Sequence, residues 1–253
     1  MVDQAGHSPN SSNLSGVSKD DLMSGALKLL SLIDPGRIKS EKRSGPLLVE
    51  IAGTSKSGKT TIREALYTFF RRAKFQVHAL PEAAGTIEVT RADQFLYTLR
   101  AGVYNLTNLL DRLHDPRYHI VLFERSVFDN LCWWDVISRE RLISEEELQV
   151  MQGFFSQSRI TNLLDAVVYL TCPPEMALTR EPSIVSAPGR RMNPKTHGII
   201  TDAFERTAEN FQNRFRAFFK FNNDLQNPMD AARAVGDFLV GTLLKQREET
   251  KEA

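Results

Sequence analysis

The sequence predicts a three-layer α/β fold, in which a parallel sheet of about five strands lies between two layers of helices. Two observations predict it. Short apolar runs alternate along the chain with longer stretches whose apolar residues recur at helical spacing. The first of these runs, at residues 47–51, leads through a glycine-rich loop into a helical stretch at 62–70. Strand, loop and crossover helix in this order are typical of a parallel sheet.

The glycine-rich loop has the spacing of a P-loop. Gly53, Gly58, Lys59 and Thr60 fit the pattern G-x-x-x-x-G-K-[ST], which binds a nucleoside triphosphate. The glycines let the backbone curl so that its N–H groups point at phosphate oxygens, and the lysine adds a positive charge. We expect Thr60 to bind Mg²⁺ through its hydroxyl. We also expect the domain around the loop to have a P-loop NTPase fold. The predicted nucleotide-binding residues are Gly53, Ser55, Lys56, Ser57, Gly58, Lys59, Thr60 and Thr61.

Length and composition indicate one α/β domain. The chain has 253 residues, of which 42% are hydrophobic, and its net charge is +1. We place the domain at residues 46–246, after a disordered tail and short helix at 1–45 and before a frayed charged tail at 247–253. A charge this small gives no field that would attract nucleic acid or an anionic membrane. Without a membrane-spanning run or a secretory signal, the chain is expected to be cytoplasmic.

The other elements follow from hydrophobic periodicity and from helix-capping and turn residues. The predicted strands are 75–80, 118–123, 166–171 and a short one at 220–222. The predicted helices are 21–33, 93–113, 128–137, 145–158, 175–180, 204–219 and 228–246. The first helix is expected to pack on the domain or, alternatively, to contact a partner.

Two acidic positions stand where predicted strands end. Glu82 follows the second strand of the sheet, and Glu124-Arg125 follows the third. Because the carboxyl ends of parallel strands meet at one edge, these side chains are expected beside the P-loop. Glu124 is a candidate Mg²⁺ ligand together with Thr60, and Glu82 and Arg125 are catalytic candidates with Lys59.

Two further groups of residues are candidates for substrate contact. Helix 93–113 carries Tyr97, Arg100 and Tyr104 opposite its apolar positions Phe95, Leu99, Val103, Leu106, Leu110 and Leu113. The segment 180–192 has no strand or helix pattern. A mobile loop of this kind could bring arginines onto a transferring phosphate, although a solvated basic loop is the alternative. Its arginines are Arg180, Arg190 and Arg191.

With these motifs in this order, the chain resembles the P-loop kinases of nucleosides and nucleotides, most of all the deoxynucleoside kinase and thymidylate kinase group. The resemblance spans about residues 47–243. It rests on the P-loop, Pro81-Glu82, Glu124-Arg125-Ser126 and the arginine loop. The stretch 82–86 also partly matches the Glu-Pro-Gly-Gly-Thr turn of thymidylate kinases.

The resemblance implies a strand order of 2-3-1-4-5 and a role for each matched residue. Glu82 would be the base that takes a proton from a sugar hydroxyl, or would orient an acceptor phosphate. Arg125 would contact the acceptor and the phosphates, and the arginine loop would be a lid. Asp129 stands one residue nearer to Glu124-Arg125-Ser126 than the aspartate that reads the base in deoxynucleoside kinases.

The expected activity is Mg²⁺-dependent phosphoryl transfer from ATP to a nucleoside or a nucleoside monophosphate. Two alternatives remain open at this point. One is a kinase of another small-molecule alcohol. The other is a nucleotide-dependent switch that binds a partner through its N-terminal helix. A homodimer is compatible with each of them, and the sequence does not decide the acceptor or the oligomeric state.

Overall fold

The computed structural model describes residues 18–33, 45–83, 86–87, 92–180, 194–224 and 227–252. The strands are β1 (Leu47–Gly53), β2 (Val77–Leu80), β3 (Ile120–Glu124), β4 (Ala166–Thr171) and β5 (Phe218–Asn222). The helices are α1 (Lys19–Ile33), α2 (Lys59–Arg72), α3 (Gln94–Arg112), α4 (Val127–Arg139), α5 (Glu145–Phe155), α6 (Ser158–Thr161), α7 (Pro174–Thr179), α8 (Pro194–Phe211) and α9 (Pro228–Glu252). No helix in these ranges has the length and apolar character needed to cross a membrane.

The strands form one sheet in the order β2-β3-β1-β4-β5, and every neighbouring pair is parallel. Leu48 of β1 lies opposite Val121 of β3, and Val49 lies opposite Ala166 of β4. The predicted class, the parallel sheet and the strand order are therefore confirmed. Because the strands run the same way, their carboxyl ends share the edge from which the P-loop leaves β1.

Alternation along β1 divides the core into two halves. Leu47, Val49 and Ile51 belong to a cluster on one side of the sheet, formed with α1, α2 and α9. Leu48 and Ala52 belong to a cluster on the other side, formed with α4 and α8. Successive side chains of a strand point to opposite faces, so every residue of β1 is buried against one helical layer or the other. This arrangement is the predicted three-layer structure.

Helix α1 packs on α9 and shares the core of the domain. Its buried residues Leu22, Ala26, Leu29 and Ile33 are spaced three or four apart, and they join the same cluster as β1. A Cβ atom added at Gly25 would lie 2.9 Å from Cγ1 of Val240, so the two helices approach closely. The domain boundary near residue 45 stays a prediction, but the apolar face of α1 is used within the chain.

Two helix predictions were wrong at their ends. The aromatic residues at 204–219 predicted one helix, but α8 ends at Phe211, and Phe218 and Phe219 belong to β5. No glycine or proline marks this break. Pairing of β5 with β4 places Phe218 opposite Val167 and overrides the helical spacing. In addition, α9 continues to Glu252, beyond the expected fraying at 247, while residues 1–17 lie outside the described ranges.

The packed face of α3 matches the prediction only in part, because four of the six predicted apolar positions pack against the core, namely Phe95, Leu99, Leu106 and Leu113. Val103 and Leu110 were expected in the core, but their side chains are 46% and 52% exposed. The buried positions are Thr98, Gly102, Asn105 and Leu109. Gly102 lies on this buried face against Phe155, where an added Cβ atom would come within 2.6 Å of the ring.

Candidate active site

The P-loop is held in its shape by two glycines that no other residue could replace without strain. Gly53 has a φ of +146°, and a Cβ atom there would lie 2.2 Å from the backbone oxygen of Leu170. Gly58 has a φ of +94° and immediately precedes α2. The loop therefore ends at the amino terminus of a helix, where free N–H groups and the helix dipole favour an anion.

Lys59 and Thr60 begin α2 at the centre of this loop. The Lys59 ammonium donates to the backbone oxygen of Thr54 at 2.7 Å and is almost fully buried. Its burial, with a contribution from Arg125, lowers the pKa of Lys59 to about 8. The Thr60 hydroxyl donates to Oε1 of Glu124 at 2.7 Å. Thr60 and Glu124 thus stand together as the sequence predicted, although their roles stay a proposal.

Glu124 has a second partner that the sequence analysis did not anticipate. Arg63, one turn along α2, places Nη1 2.9 Å from Oε2 of Glu124 and 3.3 Å from the backbone oxygen of Leu80. The described residues contain no cluster of three or more His, Cys, Asp or Glu that would form a metal site by itself. A hydroxyl and one carboxylate fit a Mg²⁺ ion that takes its other ligands from phosphates and water.

A cavity of about 560 Å³ lies over the P-loop. Four positively charged residues contribute to its wall, namely Lys56, Lys59, Arg125 and Arg180. Asn223, just after β5, also lines it and donates from Nδ2 to the backbone oxygen of Ser57 at 2.8 Å. The other lining residues are Ser55, Gly58, Thr60, Thr61, Ile62, Glu82, Glu124 and Pro228.

A second cavity of about 220 Å³ adjoins the first. The two share Ser55, Glu82 and Arg125 in their walls. Helices α3 and α4 supply most of the remaining lining. The helix residues are Gln94, Tyr97, Thr98, Ala101, Asn105, Asp129, Asn130 and Trp133, and Ala83 completes the lining.

Arg125 occupies the boundary between the two cavities. Its Nε lies 2.9 Å from Oε1 of Glu82, and its Nη1 lies 2.7 and 2.8 Å from the two carboxylate oxygens of Asp129. The guanidinium carbon is 5.7 Å from the ring centre of Trp133. Burial lowers the pKa of Arg125, but the Asp129 and Glu82 carboxylates raise it by more, so the group stays charged. The backbone of Arg125 has a φ of +68°, which is uncommon outside glycine.

The structure brings together some of the remaining candidates and separates others. Tyr97 and Asp129 line the smaller cavity, but Arg100 is exposed, and the Tyr104 hydroxyl is hydrogen-bonded to Thr86 outside it. Arg180 donates to the backbone oxygens of Lys56 and Asn223, both at 3.3 Å. Arg190 and Arg191 lie outside the described residues.

Several lining residues were missed by the sequence analysis. Gln94, Thr98, Ala101 and Asn105 lie on one face of α3, three or four residues apart. This stripe of small and polar residues was a readable signal, because a helix rarely buries such a face without a use for it. Trp133 and Asn130 gave no such signal.

Comparison with solved structures shows which known fold the chain has. The sequence matches no protein-family model and no curated protein. The structure is similar to three structures of deoxyadenosine kinase from M. mycoides, solved with dCTP, with dATP, and with the products dCMP and dCDP. Their TM-scores are 0.53, 0.54 and 0.54, and their sequence identities are 15%, 15% and 16%. The similarity covers 76% of this chain and 98%, 99% and 98% of theirs. The chain has the P-loop nucleoside kinase fold, as the sequence resemblance predicted.

Proposed function

We propose that this protein transfers the γ-phosphoryl group of Mg²⁺-ATP to a hydroxyl group of a nucleoside. The observation that carries the proposal is the meeting of two cavities at Glu82 and Arg125. One cavity contains the P-loop, and the other is lined mainly by neutral polar and aromatic side chains, together with Glu82, Arg125 and Asp129. In-line transfer needs a donor and an acceptor on opposite sides of one reacting phosphorus, and two cavities that meet at one boundary support such a placement.

On the donor side, the backbone N–H groups of the P-loop and the Lys59 ammonium would bind the β- and γ-phosphates. Thr60 and Glu124 would hold the metal, and Arg63 would keep the Glu124 carboxylate oriented toward Thr60. When bound, Mg²⁺ would neutralise part of the charge that develops on the transferring group. Arg180, Arg190 and Arg191 are proposed to add charge from the lid side.

On the acceptor side, the charges favour a hydroxyl over a phosphate. Among the described residues that line the smaller cavity, the charged ones are Arg125, Glu82 and Asp129, one cation against two carboxylates. Both carboxylates already contact Arg125. A dianionic acceptor phosphate would meet net negative charge there, whereas a neutral hydroxyl would not. Glu82, whose side chain is 38% exposed, is proposed as the base that accepts the hydroxyl proton.

The switch alternative depended on a partner for the N-terminal helix. The apolar face of α1 formed by Leu22, Ala26, Leu29 and Ile33 is instead buried in the core that contains α9. A kinase of another alcohol remains compatible with the same site, so the test must include acceptors that are not nucleosides.

The experiment is a screen with Mg²⁺-ATP against nucleosides, nucleoside monophosphates and other small alcohols, with phosphorylated product as the readout. We expect rapid product from a nucleoside. Glu82→Gln should lower turnover by about 10²-fold or more, because a hydroxyl acceptor needs a base. Glu209→Gln, at an exposed position on α8, is the control and should leave turnover unchanged. Product from a monophosphate, with Glu82→Gln fully active, would move the acceptor to a phosphate. ADP release without any phosphorylated acceptor would contradict kinase activity.

A further inference from the structure

Glu50 is a charged residue at the centre of the sheet. It is completely buried in β1, between the apolar residues Val49 and Ile51. By strand alternation its side chain lies on the same face as Leu48 and Ala52, toward α4. A buried carboxylate is costly unless hydrogen bonds compensate for the lost water, so its contacts indicate why it is there.

The Glu50 carboxylate accepts three backbone hydrogen bonds at the start of α4. The donors are the N–H groups of Ser126 at 2.7 Å, Phe128 at 2.9 Å and Asp129 at 2.9 Å. Ser126 stands at the N-cap position, yet its hydroxyl makes no capping hydrogen bond. The cap of α4 is therefore supplied by a side chain from a strand 76 residues earlier in the chain.

The capped turn carries the residues at the boundary of the two cavities. Arg125 directly precedes Ser126, and its own N–H donates to the backbone oxygen of Ile51 at 3.1 Å. Asp129 lies in the first turn of α4. Glu50 also stands three residues before Gly53 in β1. The same strand therefore leads into the P-loop and, through the Glu50 carboxylate, is hydrogen-bonded to the turn that follows Arg125. The left-handed backbone of Arg125 is unfavourable by itself and needs such support.

We propose that Glu50 is a positioning residue that fixes Arg125 and Asp129 relative to the P-loop, and so aligns the acceptor with the donor phosphate. The inference rests on the proposed function, because it assigns the smaller cavity to the acceptor. The Glu50 carboxylate reaches this turn through hydrogen bonds to its backbone N–H groups. It acts through the position of Arg125 and Asp129.

Glu50→Gln tests the proposal with little change in volume. The glutamine oxygen can still accept from two of the three donors, but its NH₂ group would face the N–H of one of them. We expect kcat/KM for the acceptor to fall by about 10- to 100-fold, since small misplacement of reacting groups has effects of this size. The dissociation constant for Mg²⁺-ATP should stay within about three-fold of wild type, because the P-loop contacts are unchanged.

Asp165→Asn is the matched control. Asp165 is also a buried carboxylate bound to a backbone N–H, that of Leu48 at 2.8 Å, but it precedes β4 at the opposite edge of the sheet. The Asp165→Asn variant should be less stable than wild type, but its kcat/KM and its nucleotide affinity should be unchanged. If Asp165→Asn lowered kcat/KM as strongly as Glu50→Gln does, Glu50 would have a merely structural role.

Amide hydrogen exchange at residues 126–129 tests the positioning role without any measurement of phosphoryl transfer. In Glu50→Gln the amides of residues 126–129 should exchange faster, while those of β1 and α2 stay as in wild type. In Asp165→Asn the 126–129 segment should keep wild-type exchange. Unchanged exchange at 126–129 in Glu50→Gln would refute the positioning role. Absence of phosphoryl transfer by the wild-type protein would instead refute the proposed function, and the exchange result would still decide the role of Glu50.

Discussion

At the scale of single residues, Glu50 also gives a prediction about stability. Burial, with a smaller contribution from the Asp129 carboxylate, raises the pKa of Glu50 to about 7, although three backbone hydrogen bonds act to lower it. In the unfolded chain this carboxyl group titrates near its ordinary value of 4.5. Between these two values the folded protein holds a proton that the unfolded chain has lost.

The free energy of unfolding of the wild type should therefore fall, relative to Glu50→Gln, as the pH rises from about 4.5 to about 7. The fall should be on the order of 3 kcal/mol, because each unit of pKa shift corresponds to about 1.4 kcal/mol. Glutamine does not titrate, so the variant removes this term and leaves the other carboxylates in place. Urea unfolding of both proteins at several pH values measures the difference. A difference that is independent of pH would mean that Glu50 titrates alike in both states.

At the scale of elements, the packing of α3 decides the shape of the smaller cavity. A Cβ atom added at Gly102 would lie 2.6 Å from Cζ of Phe155 and 3.3 Å from Nδ2 of Asn130. Phe155 is buried and cannot easily move aside, and Asn130 lines the cavity. The sequence predicted the existence and length of α3 because its periodicity is local. Local periodicity could not reveal the contact between Gly102 and Phe155, because Phe155 lies on the distant helix α5.

Gly102→Ala should therefore destabilise the protein by about 1–3 kcal/mol, since overpacking outweighs the better helix propensity of alanine. It should also weaken acceptor binding through displacement of Asn130. The control is Gly153→Ala in α5, where an added Cβ meets no atom within 4 Å. That change should stabilise the protein by about 0.5–1 kcal/mol. Thermal unfolding measures the stability of both variants. Equal changes in stability would show that helix propensity alone determines the effect of alanine at both positions.

At the scale of the whole molecule, the sequence predicted what adjacent residues build. The P-loop and the parallel sheet follow from contiguous patterns, the strand order was implied by the resemblance to P-loop kinases, and the structure confirms the sheet and its order. The acceptor side could not be predicted in this way. Its walls come from α3 and α4, which β3 separates in the sequence, so their contact is not a contiguous pattern. Glu50 was hidden for the same reason: its partners at 126–129 are distant in sequence.

The adjoining cavities give a last prediction for the intact protein. If a phosphoryl group passes between them, one molecule that fills both should bind more tightly than ATP alone, because the second contact becomes intramolecular. A nucleoside joined to adenosine through a polyphosphate chain is such a probe. We expect it to bind at least about 10²-fold more tightly than adenosine polyphosphate of the same length without the second nucleoside. Lys59→Ala should weaken both, because each uses the P-loop. Equal affinity of the two compounds in calorimetric titration would contradict an acceptor site beside the P-loop, and would favour a protein that only binds and hydrolyses its nucleotide.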